Sequence, residues 1–183
     1  MATDYVTDGK IGIDLTAVYA STSAGSTSFM PALPGATVRT NNGGEYIFAR
    51  CASDTAQFNC VIFGTYADSA SQTPTFSFVP ITTANCAPGG APGPNQIGIC
   101  QNSVASAYYT WVALKSQNIR LTVKASTQAK VPLYTTTTAG VLDSGTTVSA
   151  GYVTGVTVNT SAASASAPYC MATWPKVIVL GAG

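Results

Sequence analysis

Apolar positions in this chain recur at every second residue or in short unbroken runs, and the three-to-four spacing of an amphipathic helix is absent nearly everywhere. Short segments rich in β-branched and aromatic residues alternate with Gly, Pro, Asn and Ser, the residues that make turns. EYIFARC, Glu45–Cys51, follows the turn Asn41-Asn42-Gly43-Gly44. FNCVIFGT, Phe58–Thr65, is a mostly apolar run that suits a strand buried on both faces. TFSFVPI, Thr75–Ile81, alternates, with Phe76 and Phe78 on one side, and IGICQ, Ile97–Gln101, resumes the pattern. Tyr108–Leu114 and Ile119–Ala125 predict a hairpin joined by Lys115-Ser116-Gln117-Asn118. In its second arm Ile119, Leu121 and Val123 share one face while Arg120, Thr122 and Lys124 share the other, a core side and a wet or partner side. Strands are further predicted over 131–136, 152–159 and 168–180, the last interrupted at Pro175. Only VASAYYTWVALKS, 104–116, admits a helical reading, and its β-branched and aromatic content favours a strand.

Short strands punctuated by turns predict an all-β fold, a small β-barrel or β-sandwich. Residues 1–34, with STSAGSTS at 21–28 and PALPG at 31–35, read as an extended N-terminal arm or a loosely packed edge rather than a helix. Having little apolar periodicity of its own, the arm is a candidate for subunit contacts. Residues 35–183 form a single β-rich domain, long enough to bury a sizeable core. Within it NCAPGGAPGPNQ, 85–96, cannot hold a ladder, because proline lacks the donor and glycine is too pliable. That stretch is expected to be a long, exposed Pro/Gly-rich loop.

Composition sharpens this picture. Only 8% of the 183 residues are charged, about a third of the usual share, so the surface must rely on Ser, Thr, Asn and Gln. Charge keeps soluble monomers apart, so such a surface points to one covered by partners, in a homo-oligomer or on a larger particle. The formal net charge of +1 offers no global attraction to nucleic acid. Cations do gather at Lys115, Arg120 and Lys124, and these are the expected partner-binding residues. The N-terminal sequence MATDYVTDGKIGIDL has acids where a secretory signal needs a basic segment, and no apolar run is long enough for a transmembrane helix. A soluble protein made in a cytoplasm is expected, without membrane partners.

The chemical inventory is thin. The chain has no histidine, which removes the commonest general base. No Walker loop, no GxGxxG after a strand and no calcium loop occurs, so no catalytic residue, cofactor or metal site is expected. Five cysteines without a CxxC pair read as reduced and buried, with a Cys86–Cys100 bridge across the Pro/Gly loop as the alternative. Tyr108, Tyr109 and Trp111 fit core packing of the central hairpin better than a sugar-stacking platform.

The order of segments resembles the capsid decoration, or cement, proteins of tailed bacteriophages. LPGATVRTNNGGEYIFARCASDTAQFNCVIF at 33–63 is similar to a family pattern in which a Gly-rich turn precedes an aromatic strand. An A-x-x-x-A-Q connection, here Ala52 to Gln57, then leads into an apolar strand. IGICQNSVASAYYTWVALKSQNIRLTVKAS at 97–126 resembles a second family segment, and VPLYTTTTAGVLDSG, YVTGVTV and MATWP follow in order. The chain departs from the pattern near Ala107 and Tyr108, where the family commonly has a glycine, and at Lys115–Asn118, which lacks the expected turn glycine. The resemblance implies a β-rich, often oligomeric, non-enzymatic protein made in the host cytoplasm. It would sit on the outer capsid surface of the virion, bound to the major capsid protein. A tail, neck or head-fibre component, or a carbohydrate-binding module, is the alternative.

Overall fold

The computed structural model describes residues 13–20, 30–67, 74–86, 95–145 and 151–178. Among these there is no helix, and the strands are β1 (Val18–Tyr19), β2 (Thr37–Arg39), β3 (Glu45–Cys51), β4 (Cys60–Ala67), β5 (Pro74–Pro80), β6 (Ile97–Cys100), β7 (Tyr109–Arg120), β8 (Leu133–Thr135), β9 (Leu142–Asp143), β10 (Tyr152–Val158) and β11 (Tyr169–Ile178). Strands pair in the order β2-β3-β5-β4-β6-β7-β11-β10-β8-β9. An additional β3–β7 ladder closes β3, β5, β4, β6 and β7 into a five-stranded barrel. The expected small barrel is therefore present, extended by a second sheet of β11, β10, β8 and β9.

The apolar runs explain why the barrel wall is buried on both faces. Ile47, Ala49, Cys51, Val61, Phe63, Phe78, Cys100, Val112 and Leu114 form one cluster with Val104; all except Val104 come from barrel strands, so this cluster is the interior. Their neighbours Tyr46, Phe48, Cys60, Ile62, Ile97, Ile99, Trp111 and Ala113 point outward into a larger cluster. That cluster is completed by Ile119, Leu121, Val123, Leu133, Leu142, Val153, Val158, Cys170 and Val177, so the second sheet lies over the barrel wall. The expected double burial of the 58–65 segment is met, although β4 starts only at Cys60 because Phe58 turns the chain at φ +67°.

The predicted hairpin at 108–125 is a correction. From Tyr109 the first arm does not turn back but runs on through Lys115–Asn118 to Ile119 and Arg120 as the single strand β7, and Leu121–Ala125 lie beyond its end. Lys115 and Ser116 pair with Thr173 and Ala172 of β11, and Ile119 and Arg120 with Cys170 and Tyr169. Gln117 and Asn118 are the bulge that this ladder tolerates, not a turn. The same ladder shows why the helical reading of 104–116 fails.

Two further expectations meet the structure. All five cysteines are free and buried, and Cys86 belongs to the outer cluster while Cys100 belongs to the barrel interior, so the alternative bridge is not formed. The loop at 85–96 falls largely on residues 87–94, outside the described residues. Of the N-terminal arm, β1 pairs with β7 through Val18–Thr110 and Tyr19–Tyr109, and Ile13, Leu15, Met30 and Ala32 rest on the outer cluster.

Candidate docking face

Alternation along β11 creates a face of unusual content. Cys170, Ala172 and Val177 point into the core, while Tyr169, Met171, Trp174, Lys176 and Ile178 point away from it and are exposed. Cross-strand pairing aligns these with outward residues of the neighbouring strands. Ile178 pairs with Tyr152, Lys176 with Thr154 and Met171 with Thr157 on β10, and Tyr152 pairs in turn with Tyr134 on β8. The Tyr134 and Tyr152 rings meet at 5.7 Å. Of the seven large hydrophobic side chains exposed among the described residues, four lie on this one strand, a clustering rather than scattered exposure.

The bulge in β11 gives the face its relief. Thr154 pairs with Lys176 and Val156 with Ala172, so the single residue Gly155 is opposed by Thr173, Trp174 and Pro175. Pro175, predicted to interrupt the strand, sits buried inside this bulge, where its missing N–H costs no ladder bond.

The three cations expected to bind a partner are placed separately. Arg120 pairs with Tyr169 on the exposed face, and its guanidinium stands 4.8 Å from the Phe58 ring centroid and 5.9 Å from that of Tyr169. Its Nε donates to the Ala167 carbonyl at 2.8 Å, and its backbone exchanges bonds with the Gln101 side-chain amide at 3.0 and 3.1 Å. These contacts hold the charge in place at the rim of the face. Lys124 is half-buried on the same non-core side, as the burial of Ile119, Leu121 and Val123 requires. Lys115 lies at the other end of the β7–β11 ladder, with Nζ 4.0 Å from Glu45 Oε1, and Arg39 Nε is 3.6 Å from that same oxygen. Lys115 is thus partly answered within the molecule, whereas Lys176, which was not singled out from the sequence, stands exposed in the middle of the face.

The aromatic platform considered at Tyr108, Tyr109 and Trp111 is dismantled. Trp111 is fully buried with its ring tilted against Phe48 at 5.0 Å, Tyr109 is buried and stacked on the same ring at 5.8 Å, and only Tyr108 is exposed. The exposed rings that sequence reasoning missed are Tyr169 and Trp174. Tyr169 and Met171 keep the period-two spacing of a core stripe, Trp174 falls three residues beyond Met171, and the one available signal was the Trp174-Pro175 pair, which breaks that period.

Chemistry elsewhere is sparse. A shallow cavity of about 410 Å³ is lined by Asp54, Thr55, Ala56, Ser103, Val104 and Ala105, and the Asp54 carboxylate accepts a bond from the Ser106 N–H at 2.7 Å. Among the described residues no group of three His, Cys, Asp or Glu side chains could hold a metal ion, and no helix is long and apolar enough to cross a membrane. Burial pushes the Cys86, Cys100 and Cys170 thiols up to about 12 and Cys60 higher still, so none is poised as a nucleophile. Comparison with known proteins finds no matching family model, curated protein or solved structure.

Proposed function

We propose that this protein is a structural component of a virus particle, a capsid decoration protein of a tailed bacteriophage that docks on the coat shell through the outward face of β11, β10 and β8. The observation that carries the reading is this face itself: a ladder-paired surface carrying Tyr169, Met171, Trp174 and Ile178, with Arg120 and Lys176 among them. Buried aromatic centres with charged rims are what protein interfaces use, and a paired sheet loses little conformational freedom on docking. The resemblance of the segment order to decoration proteins supplies the partner, the major capsid protein.

Ligands that bind the assembled shell and not its dissociated subunits stabilise the shell by mass action, about 2.7 kcal/mol per site at a hundredfold excess over Kd. Purified shells of the parent particle should therefore bind the protein in many copies per shell, quantified against the coat band on a stained gel. Decorated shells should survive higher temperature than bare ones. Binding at a few copies only points to a neck or tail component. A second reading, a carbohydrate-binding module, draws on the same exposed rings, and a glycan array decides between them: a strong glycan signal without shell binding moves the assignment there.

A further inference from the structure

We propose that Trp174 anchors this face, held outward by the β11 bulge for insertion into an apolar pocket rimmed by carboxylates on the partner protein. The inference rests on the docking role proposed above. It starts from the backbone: Trp174 has φ +47°, a left-handed conformation that costs any residue with a Cβ and is least expected of a bulky ring. Across the ladder, Gly155 is also left-handed at φ +75°, and a Cβ there would meet the Thr173 carbonyl oxygen at 2.6 Å and Pro175 Cα at 3.1 Å. Glycine thus stands where the bulge needs only backbone freedom. At the neighbouring strained position the chain keeps its largest side chain.

Strain of this kind persists where the side chain is wanted. The two tryptophans of the chain divide accordingly: Trp111 is 0% exposed in the core, whereas Trp174 is 42% exposed beside a buried proline. A half-exposed indole gives up part of the apolar burial that would repay the strain, and covering it by a partner recovers that burial. Tryptophans at the centre of an interface are the residues that most often dominate its affinity.

The partner's chemistry follows from charge. Arg120 and Lys176 flank Met171 and the bulge along β11, and both are exposed. Among the described residues the carboxylates aligned with these strands are Glu45, approached by Arg39 and Lys115, and Asp143, which pairs with Tyr134 at the far edge. The complementary surface therefore carries acids around an apolar recess, and a second copy presenting this same face would set cation against cation.

The test uses the full chain and purified parent shells. Trp174→Gly removes the ring and relieves the backbone, so it should melt within about 4 °C of the wild type. Its affinity for shells should fall at least about thirtyfold, the loss expected of an interface anchor. Shell binding within threefold of wild type overturns the inference. A variant that melts much lower also overturns it, because the ring would then serve the fold. Failure of the wild type itself to bind shells is seen in the control arm, and there the docking role falls and the anchor with it.

Discussion

Ala107 has φ +72°, and its N–H donates to the Cys51 carbonyl at 2.8 Å, fixing the approach into β7. A left-handed backbone here is the conformation that favours glycine. Relief of the Cβ contact, less the extra freedom glycine has when unfolded, leaves Ala107→Gly more stable by about 0.5–1 kcal/mol, read by urea unfolding. A loss of stability would mean that the alanine methyl packs better than its backbone suffers. The buried thiols give a second outcome. Cys86, Cys100 and Cys170 are raised from 9.0 to about 12, chiefly by burial, so the folded chain keeps protons that the unfolded chain releases above pH 9. Their contribution is complete below pH 9 and is lost as pH rises towards 12. Alkaline melts should show stability falling steeply across that window, and alkylation at pH 8 should label native protein only as fast as it unfolds. Burial of Cys60 and Cys100 was legible from FNCVIF and IGIC, but the conformations of Ala107 and Trp174 were not, because composition carries no sign of φ.

At the scale of elements, strand existence was legible and strand partnership was not. Glu45–Cys51 was read to the residue, since a glycine turn and a clean apolar run mark both ends. The error at Lys115–Asn118 arose because two apolar stretches around four polar residues look alike whether they fold on each other or on a third strand. Here the third strand, β11, lies some fifty residues further on, and no local signal reports it. One edge of β7 pairs with β3 from Glu45 to Arg50, and the other edge is shared in succession by β1, β6 and β11. Close packing on this spine makes Gly98 sensitive: a Cβ there would meet Val112 Cγ1 at 2.6 Å and the Phe63 ring at 3.0 Å, inside the barrel. Gly98→Ala should therefore cost roughly 1–3 kcal/mol, the range for overpacking a filled core, measured by chemical denaturation. An unchanged midpoint would show that the barrel has room that the contacts deny.

For the whole molecule, the question left by the sequence is what the arm does. The barrel closes through pairings far apart in the chain, including a parallel β3–β5 contact at Arg50–Ser77 and Cys51–Phe78, which periodicity cannot foresee. The arm was read as an extended arm or a loosely packed edge because its own apolar residues are too few to make a core. They need not make one, since the barrel wall already presents Phe48, Tyr109 and Trp111 outward. Tyr19 sets its ring edge against Phe48 at 5.7 Å, Thr110 Oγ1 donates to the Ala17 carbonyl at 3.1 Å and Asn102 Nδ2 donates to the Leu15 carbonyl at 3.3 Å. Removing residues 1–20 takes away the Tyr19 ring contact and these bonds, on the order of 3 kcal/mol, and wets the cluster around Trp111. Removing residues 1–12 leaves all of those contacts in place. The longer truncation should melt lower than the shorter and shift tryptophan emission to the red. On the docking role proposed above, the β11 residues are untouched by either cut, so truncated protein that remains folded should still occupy shells. Occupancy lost with the shorter cut alone, at an unchanged melting temperature, would move part of the docking surface onto the first twelve residues.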